Sequence, residues 1–162
     1  MLFKIIIIIF AVENNNNKKV VIMKFQYYSL KDAYCSFDVS LMLRKAGFVE
    51  DCHAAYSMRS KENEHELHLN TLSNNGSIHQ LACPTHQMAL DWMRMKYNIH
   101  IYVIPSGNHW EAEIYSFNND SNNTMSMTHI DHAYGDTDRI AIESALKCTL
   151  EKLKDIELDY EF

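Results

Sequence analysis

The stretch PTHQMALDWMRMKYNIHIYVIPSGNHWEAEIY (Pro84–Tyr115) decides the fold, because it spells a helix, a stop and a hairpin in one run. Thr85 is suited to cap a helix N-terminus. Met88, Ala89, Trp92, Met93 and Met95 then cover one wide helical face, while Gln87, Asp91 and Arg94 fall on the opposite, solvated one. Asn98 is suited to a C-terminal stop. The spacing predicts a helix over 85–97. Ile99, Ile101 and Val103 alternate with His100, Tyr102 and Ile104, which is the period of a strand. Pro105-Ser106-Gly107-Asn108 reads as a turn, after which Trp110, Ala112 and Ile114 alternate with Glu111, Glu113 and Tyr115. A β-hairpin over 99–115 is expected.

Downstream, Asn118–Asn123 is a polar loop and Met125–Ile130 a third strand of the same antiparallel sheet. Gly135-Asp136-Thr137 offers a turn and an N-cap. Ile142, Ala145, Leu146, Thr149, Leu150 and Leu153 recur at helical spacing, which predicts a helix over 137–154. The end of the chain is acidic, and residues 156–162 are expected to form a frayed tail. Upstream, Ser36 is an N-cap, Asp38 lies in the first turn where the helix dipole favours it, and Val39, Met42, Leu43 and Ala46 follow at helical spacing. Gly47 is placed to leave the helix in a left-handed conformation, with Phe48 as the accompanying hydrophobic contact. A helix over 37–46 follows. Cys52–Met58 and Glu66–Thr71 are candidate strands, and Asn74-Asn75-Gly76 is a turn. The class is α+β: a small antiparallel sheet, hairpin 99–115 with strand 125–130, covered by helices 37–46, 85–97 and 137–154.

The chain of 162 residues is 47% apolar and 22% charged, enough to close one core. No repeat or linker divides it. The first residues are unlike the rest: LFKIIIIIFAV (Leu2–Val12) is followed by Glu13, four Asn and two Lys. The run is too short to span a bilayer. Lys4 sits almost inside it and no A-x-A site follows, which weighs against a secretory signal. Poly-Ile, poly-Asn and Lys are what AT-rich DNA encodes when read as protein. The natural start is therefore expected at Met23, with residues 1–22 a non-native or disordered leader and 23–155 one domain.

The net charge is −6, so no basic face is implied and binding by phosphate neutralisation is disfavoured. Four Cys are too sparse for a disulfide scaffold, and four Gly and two Pro leave no Gly-rich phosphate cradle. A cytoplasmic protein without a membrane partner is expected.

Nine His is a high count for this length. Cys83-x2-His86 and His129-x2-His132 have ligand-like spacing, and Cys52-His53 is a further source of ligands, but neither HExxH nor CxxC is present. The expectation is no metal and no cofactor. Cys35 and Cys83 each precede a helix, and Cys83 has His86 close by in sequence, which makes it the better candidate nucleophile. Glu111 and Glu113 share a strand face and would oppose His100 and Tyr102. Trp92 reads as a core anchor. Trp110 reads either as a second anchor or as part of a binding surface with Tyr102 and His109, since aromatics concentrate at interfaces.

The stretch CPTHQMALDWMRMKYNIHIYV (Cys83–Val103) resembles a family of small proteins encoded by phages and mobile elements of Bacteroides-type gut bacteria, crAss-like phages included. SFDVSLMLRKAGF (Ser36–Phe48) is similar to the family's opening helix, and Thr137–Leu153 to its closing one. The resemblance covers most of Met23–Lys154, with 57–82 matching least. It implies one compact domain starting near Met23 and an AT-rich phage or prophage source. It implies no activity and no catalytic residues. The function expected is a non-catalytic binding or regulatory module acting on a host protein or a small ligand, through Tyr102, His109 and Trp110. The rival is a metal- or Cys-dependent hydrolase using the His-rich set and Cys83.

Overall fold

A computed structural model describes residues 30–58, 65–119 and 125–158. The expected leader and start at Met23 lie outside the described residues, as do 159–162. After a short 3₁₀ turn at Leu30–Ala33 come α1 (Phe37–Lys45), β1 (Cys52–Ser57), β2 (Leu67–Ser73), β3 (Gln80–Ala82) and α2 (His86–Tyr97). Then follow β4 (Ile99–Ser106), β5 (His109–Asn119), β6 (Met125–Gly135) and α3 (Asp138–Leu158). The class is α+β, but with two three-stranded antiparallel sheets, ordered β2-β1-β3 and β4-β5-β6.

The helix boundaries follow from their caps. The Ser36 hydroxyl accepts from Val39 N–H at 3.3 Å, the Thr85 hydroxyl from Met88 N–H at 3.2 Å, and the Thr137 hydroxyl from Ile140 N–H at 3.2 Å. At the end of α1, Phe48 N–H reaches Leu43 C=O and Gly47 N–H reaches Arg44 C=O, a Schellman closure with Gly47 at φ +86°. Asn98 closes α2 at φ +55°, donating from its side chain to the Phe117 carbonyl, while its own carbonyl accepts from Phe117 N–H at 3.1 Å. One side chain thus stops a helix and starts a sheet. Helix α3 continues to Leu158, past the end at position 154 that its sequence pattern predicts.

Pro105 and Ser106 belong to β4, so the hairpin turn is only Gly107-Asn108, with Gly107 at φ +60°. A two-residue turn with the glycine first matches the right-handed twist of its strands. Pro105 is tolerated because β4 is an edge strand. The third strand is longer than 125–130 and carries a bulge: Ile114 pairs with Asp131 and Tyr115 with His129, leaving Ile130 as the extra residue.

Helices α2 and α3 cover the inner face of β4-β5-β6. Ala89, Trp92 and Met93 of α2 and Ala141, Ala145, Leu146 and Leu150 of α3 bury against Ile99, Ala112 and Ile114. Met95, expected on the apolar face of α2, is 76% exposed, because it lies beyond the edge of the stripe that Ala89, Trp92 and Met93 form. Helix α1 sits between two cores. Val39 and Leu43 face the large cluster, whereas Phe37 and Leu41 pack on the smaller one, formed by Ala54, Tyr56, Leu81 and Cys83 under the first sheet. No described helix is long and apolar enough to cross a membrane.

Candidate functional site

The outer face of β4-β5-β6 is open among the described residues. Strand alternation turns His100 and Tyr102 of β4 outward, with Glu111, Glu113 and Tyr115 of β5 and His132 and Tyr134 of β6 beside them. The bulge at Ile130 changes the phase of β6, so that His129 also points outward, opposite Tyr115. The rings form a continuous path. Phe117 meets His100 at 4.3 Å between centroids, His100 meets Tyr102 at 6.2 Å, and Tyr102 meets Tyr115 at 5.9 Å. The path continues from Tyr115 to His129 at 5.2 Å, His129 to His132 at 6.2 Å, His132 to Tyr134 at 5.1 Å and Tyr134 to His109 at 5.2 Å.

Two carboxylates lie within this frame. Glu113 pairs with Tyr102 on one side and His132 on the other, and Glu111 lies between Ile104 and Tyr134. Tyr115 donates its hydroxyl proton to Glu113 at 2.7 Å. That bond and the neighbouring carboxylate charge raise the Tyr115 phenol above its ordinary value. Tyr134 is raised too, by partial desolvation and by Glu111. Partial desolvation lowers His100, helped by the charge of Arg94. The three strands contain no Lys or Arg, so nothing within them neutralises these carboxylates.

Of the expected binding trio, Tyr102 and His109 lie on this face and are exposed. Trp110 does not share it. As the neighbour of His109 in a strand it points the other way, and it packs against the large core. Its reading as an anchor is the one the structure supports. The residues that join Tyr102 and His109 are instead Tyr115, His129, His132 and Tyr134. Alternation gives the first, but the bulge that aligns His129 has no sequence signal of its own.

The second arrangement joins the buried Cys35 and His86 to the half-buried Glu143. Glu143 projects from α3 toward the starts of α1 and α2. Its Oε1 accepts from Ser36 N–H at 2.8 Å and from His86 Nε2–H at 2.8 Å, and its Oε2 accepts from the Ser36 hydroxyl at 2.6 Å. Burial by itself raises the Glu143 carboxyl, but the hydrogen bonds from His86 and Ser36 outweigh it and hold the group below its ordinary value. Cys35, His86 and Glu143 converge, with one ligand atom from each within 4.8 Å of the others. Tyr56 donates its hydroxyl to the Cys35 carbonyl at 2.9 Å. A cleft of about 610 Å³ opens beside the group, lined by Tyr34, Ser36, Tyr56, His86 and Glu143 among others.

His86 therefore pairs with Glu143 and not with Cys83. Cys83 is fully buried, with its thiol against the Cys35 carbonyl at 3.2 Å, and burial pushes it up to about 11. Cys35 is raised well above its ordinary value too, by burial first and then by the charge of Glu143. A nucleophilic cysteine needs the reverse shift. His129 and His132 stack on each other on the open face, and His53 is exposed on β1. Glu143 escapes a reading of the sequence because it lies off the apolar stripe of α3 and looks like a solvated glutamate.

No protein-family model, curated protein or solved structure matches the chain.

Proposed function

We propose that this chain is a non-catalytic binding module whose β4-β5-β6 face takes a lysine- or arginine-bearing segment of a partner protein. The observation that carries this is the ring path around Glu111 and Glu113. Aromatic faces attract cations through their quadrupoles, and adjacent carboxylates supply the counter-charge. The face is the open side of a three-stranded sheet, which suits a protein segment better than a small molecule enclosed in a cavity. Its acidic centre disfavours phosphate, and hence nucleic acid. The resemblance to proteins of gut phages and mobile elements makes a bacterial host protein the expected partner. A Cys-dependent hydrolase has less support, because burial disfavours the thiolate of Cys35 and Cys83.

Titration of the ¹⁵N-labelled chain with short arginine- or lysine-rich peptides, and with acidic ones of equal length, tests the reading. Basic peptides are expected to shift the resonances of Tyr102, Glu113, Tyr115 and Tyr134 in a salt-dependent way. The Glu111→Gln/Glu113→Gln variant is expected to bind at least tenfold more weakly, about 1.4 kcal/mol. Shifts confined to other surfaces, or an equal response to acidic peptides, would rule it out.

A further inference from the structure

We propose that Cys35, His86 and Glu143 form a zinc site, with a fourth coordination position open to the cleft beside them. Thiolate, imidazole and carboxylate are the three donor types that zinc takes, and three protein ligands with one open position is the arrangement of reactive zinc centres. Magnesium and calcium call for oxygen donors alone, and copper(I) for thiolate and thioether sulfur. The three ligands come from three separate elements. Cys35 lies two residues before α1, His86 is the first residue of α2, and Glu143 lies in the second turn of α3. The site therefore exists only in the folded chain.

The distances are close to those required. Tetrahedral zinc with bonds of about 2.0–2.3 Å holds its ligand atoms about 3.3–3.8 Å apart. The His86–Glu143 contact of 2.8 Å must open slightly, and no ligand pair lies beyond 4.8 Å, so shifts of about an ångström assemble the sphere. The surroundings orient the ligands. Ser36 holds the carboxylate through its N–H and its hydroxyl, and Tyr56 fixes the Cys35 carbonyl. Cys35 and Ser36 lie at the start of α1 and His86 at the start of α2, and helix N-termini favour negative charge nearby. On binding, the Cys35 S–H bond breaks, an S–Zn bond forms and the proton leaves to solvent. The His86 imidazole moves its proton from Nε2 to Nδ1 and gives the metal the Nε2 lone pair. Thiolate and carboxylate together balance the two charges of Zn²⁺, so the buried centre is neutral. That answers the desolvation which otherwise keeps the thiol protonated.

The test uses the full chain, stripped with chelator and held under a phosphine reductant. Titration with Zn²⁺ is expected to saturate at one ion per chain. Titration with Co²⁺ is expected to give a near-ultraviolet thiolate-to-cobalt charge-transfer band. Cys35→Ser and His86→Gln each abolish the band, while His129→Ala/His132→Ala, which removes the exposed pair, leaves it intact. Zinc-edge X-ray absorption of the unsubstituted chain reads one sulfur ligand with nitrogen and oxygen making up the rest, and this needs no variant to fold. A folded chain that takes up no zinc, a band that survives Cys35→Ser, or a zinc shell with no sulfur or with two overturns the proposal. None of these outcomes bears on peptide binding at the open sheet face.

Discussion

Replacing Glu143 by glutamine keeps the shape of the side chain and removes its charge. The carboxylate accepts three hydrogen bonds, at 2.8, 2.8 and 2.6 Å, and joins α3 to the starts of α1 and α2. Glutamine offers one carbonyl oxygen, and its amide nitrogen is a donor set against donors. At least one of Ser36 N–H, Ser36 O–H and His86 N–H then loses its acceptor. Hydrogen bonds to a charged group contribute about 1.5–3 kcal/mol each, and the adjoining cleft lets water recover part of the loss. The expected cost at pH 7 in metal-free buffer is about 2–3 kcal/mol, near 10 °C in the melting temperature of a domain this size. Alanine, which leaves all three donors without an acceptor, is expected to cost about 3–5 kcal/mol. The pH dependence has a definite sign. The folded carboxyl is held below the ordinary value of 4.5, so its contribution is present above that pH. It is lost as the pH falls through the lowered value. Urea denaturation of both proteins at a series of pH values is the assay. The two stabilities should converge in acid. A Glu143→Gln variant within about 0.5 kcal/mol of the parent at pH 7, or a gap that persists in acid, would refute the reasoning.

Trp92 is 5% exposed between Phe48 and Tyr97, so Trp92→Ala should cost about 3–5 kcal/mol by thermal unfolding. Tyr102→Ala, on the open face, should change stability by less than about 0.5 kcal/mol while weakening peptide binding. Asn98 holds φ +55° and donates to Phe117. Asn98→Ala should therefore be less stable than Asn98→Gly in chemical denaturation, since only the alanine adds a left-handed penalty of about 1–2 kcal/mol. A Cβ at Gly135 would lie 2.7 Å from the Ile140 carbonyl carbon, so Gly135→Ala should cost about 1–3 kcal/mol by forcing β6 and α3 apart.

The three helices and the hairpin were legible because each carries local signals. Ser36, Thr85 and Thr137 announce the helix starts, Gly47 and Asn98 the stops, and Ile99 to Tyr115 the alternation. Strand β3 was not, since Gln80–Ala82 is too short to show a period and forms only by pairing with Tyr56 and its neighbours. The division into two sheets was likewise hidden, because it depends on which strands pair across loops. Tyr102 and His109 were grouped with Trp110 on aromatic character, and strand alternation keeps the first two on one exposed face. The same alternation places Trp110 on the opposite face. The buried group was invisible as a group: Cys35, His86 and Glu143 are separated by 51 and 57 positions in the chain, and no local pattern links them.

The placement of α1 between two unequal cores has a consequence for how the molecule opens. Among the described residues the two sheets share no hydrogen-bonded strand pair, and the smaller core holds Ala54, Tyr56, Leu81 and Cys83 as its buried members. With the smaller share of the apolar area, β1-β2-β3 is expected to open before α2, α3 and the second sheet, giving up the contacts of Cys52 and Ala82 with the larger core as it does so. Amide protons of β1 should then exchange with solvent sooner than those of Ala112 and Ile114. Because α1 contributes Phe37 and Leu41 to the weaker unit and Val39 and Leu43 to the stronger one, its two faces belong to different events. The helix is expected to stay docked through Val39 and Leu43 when the first sheet has opened, so that the two sheets are not lost together.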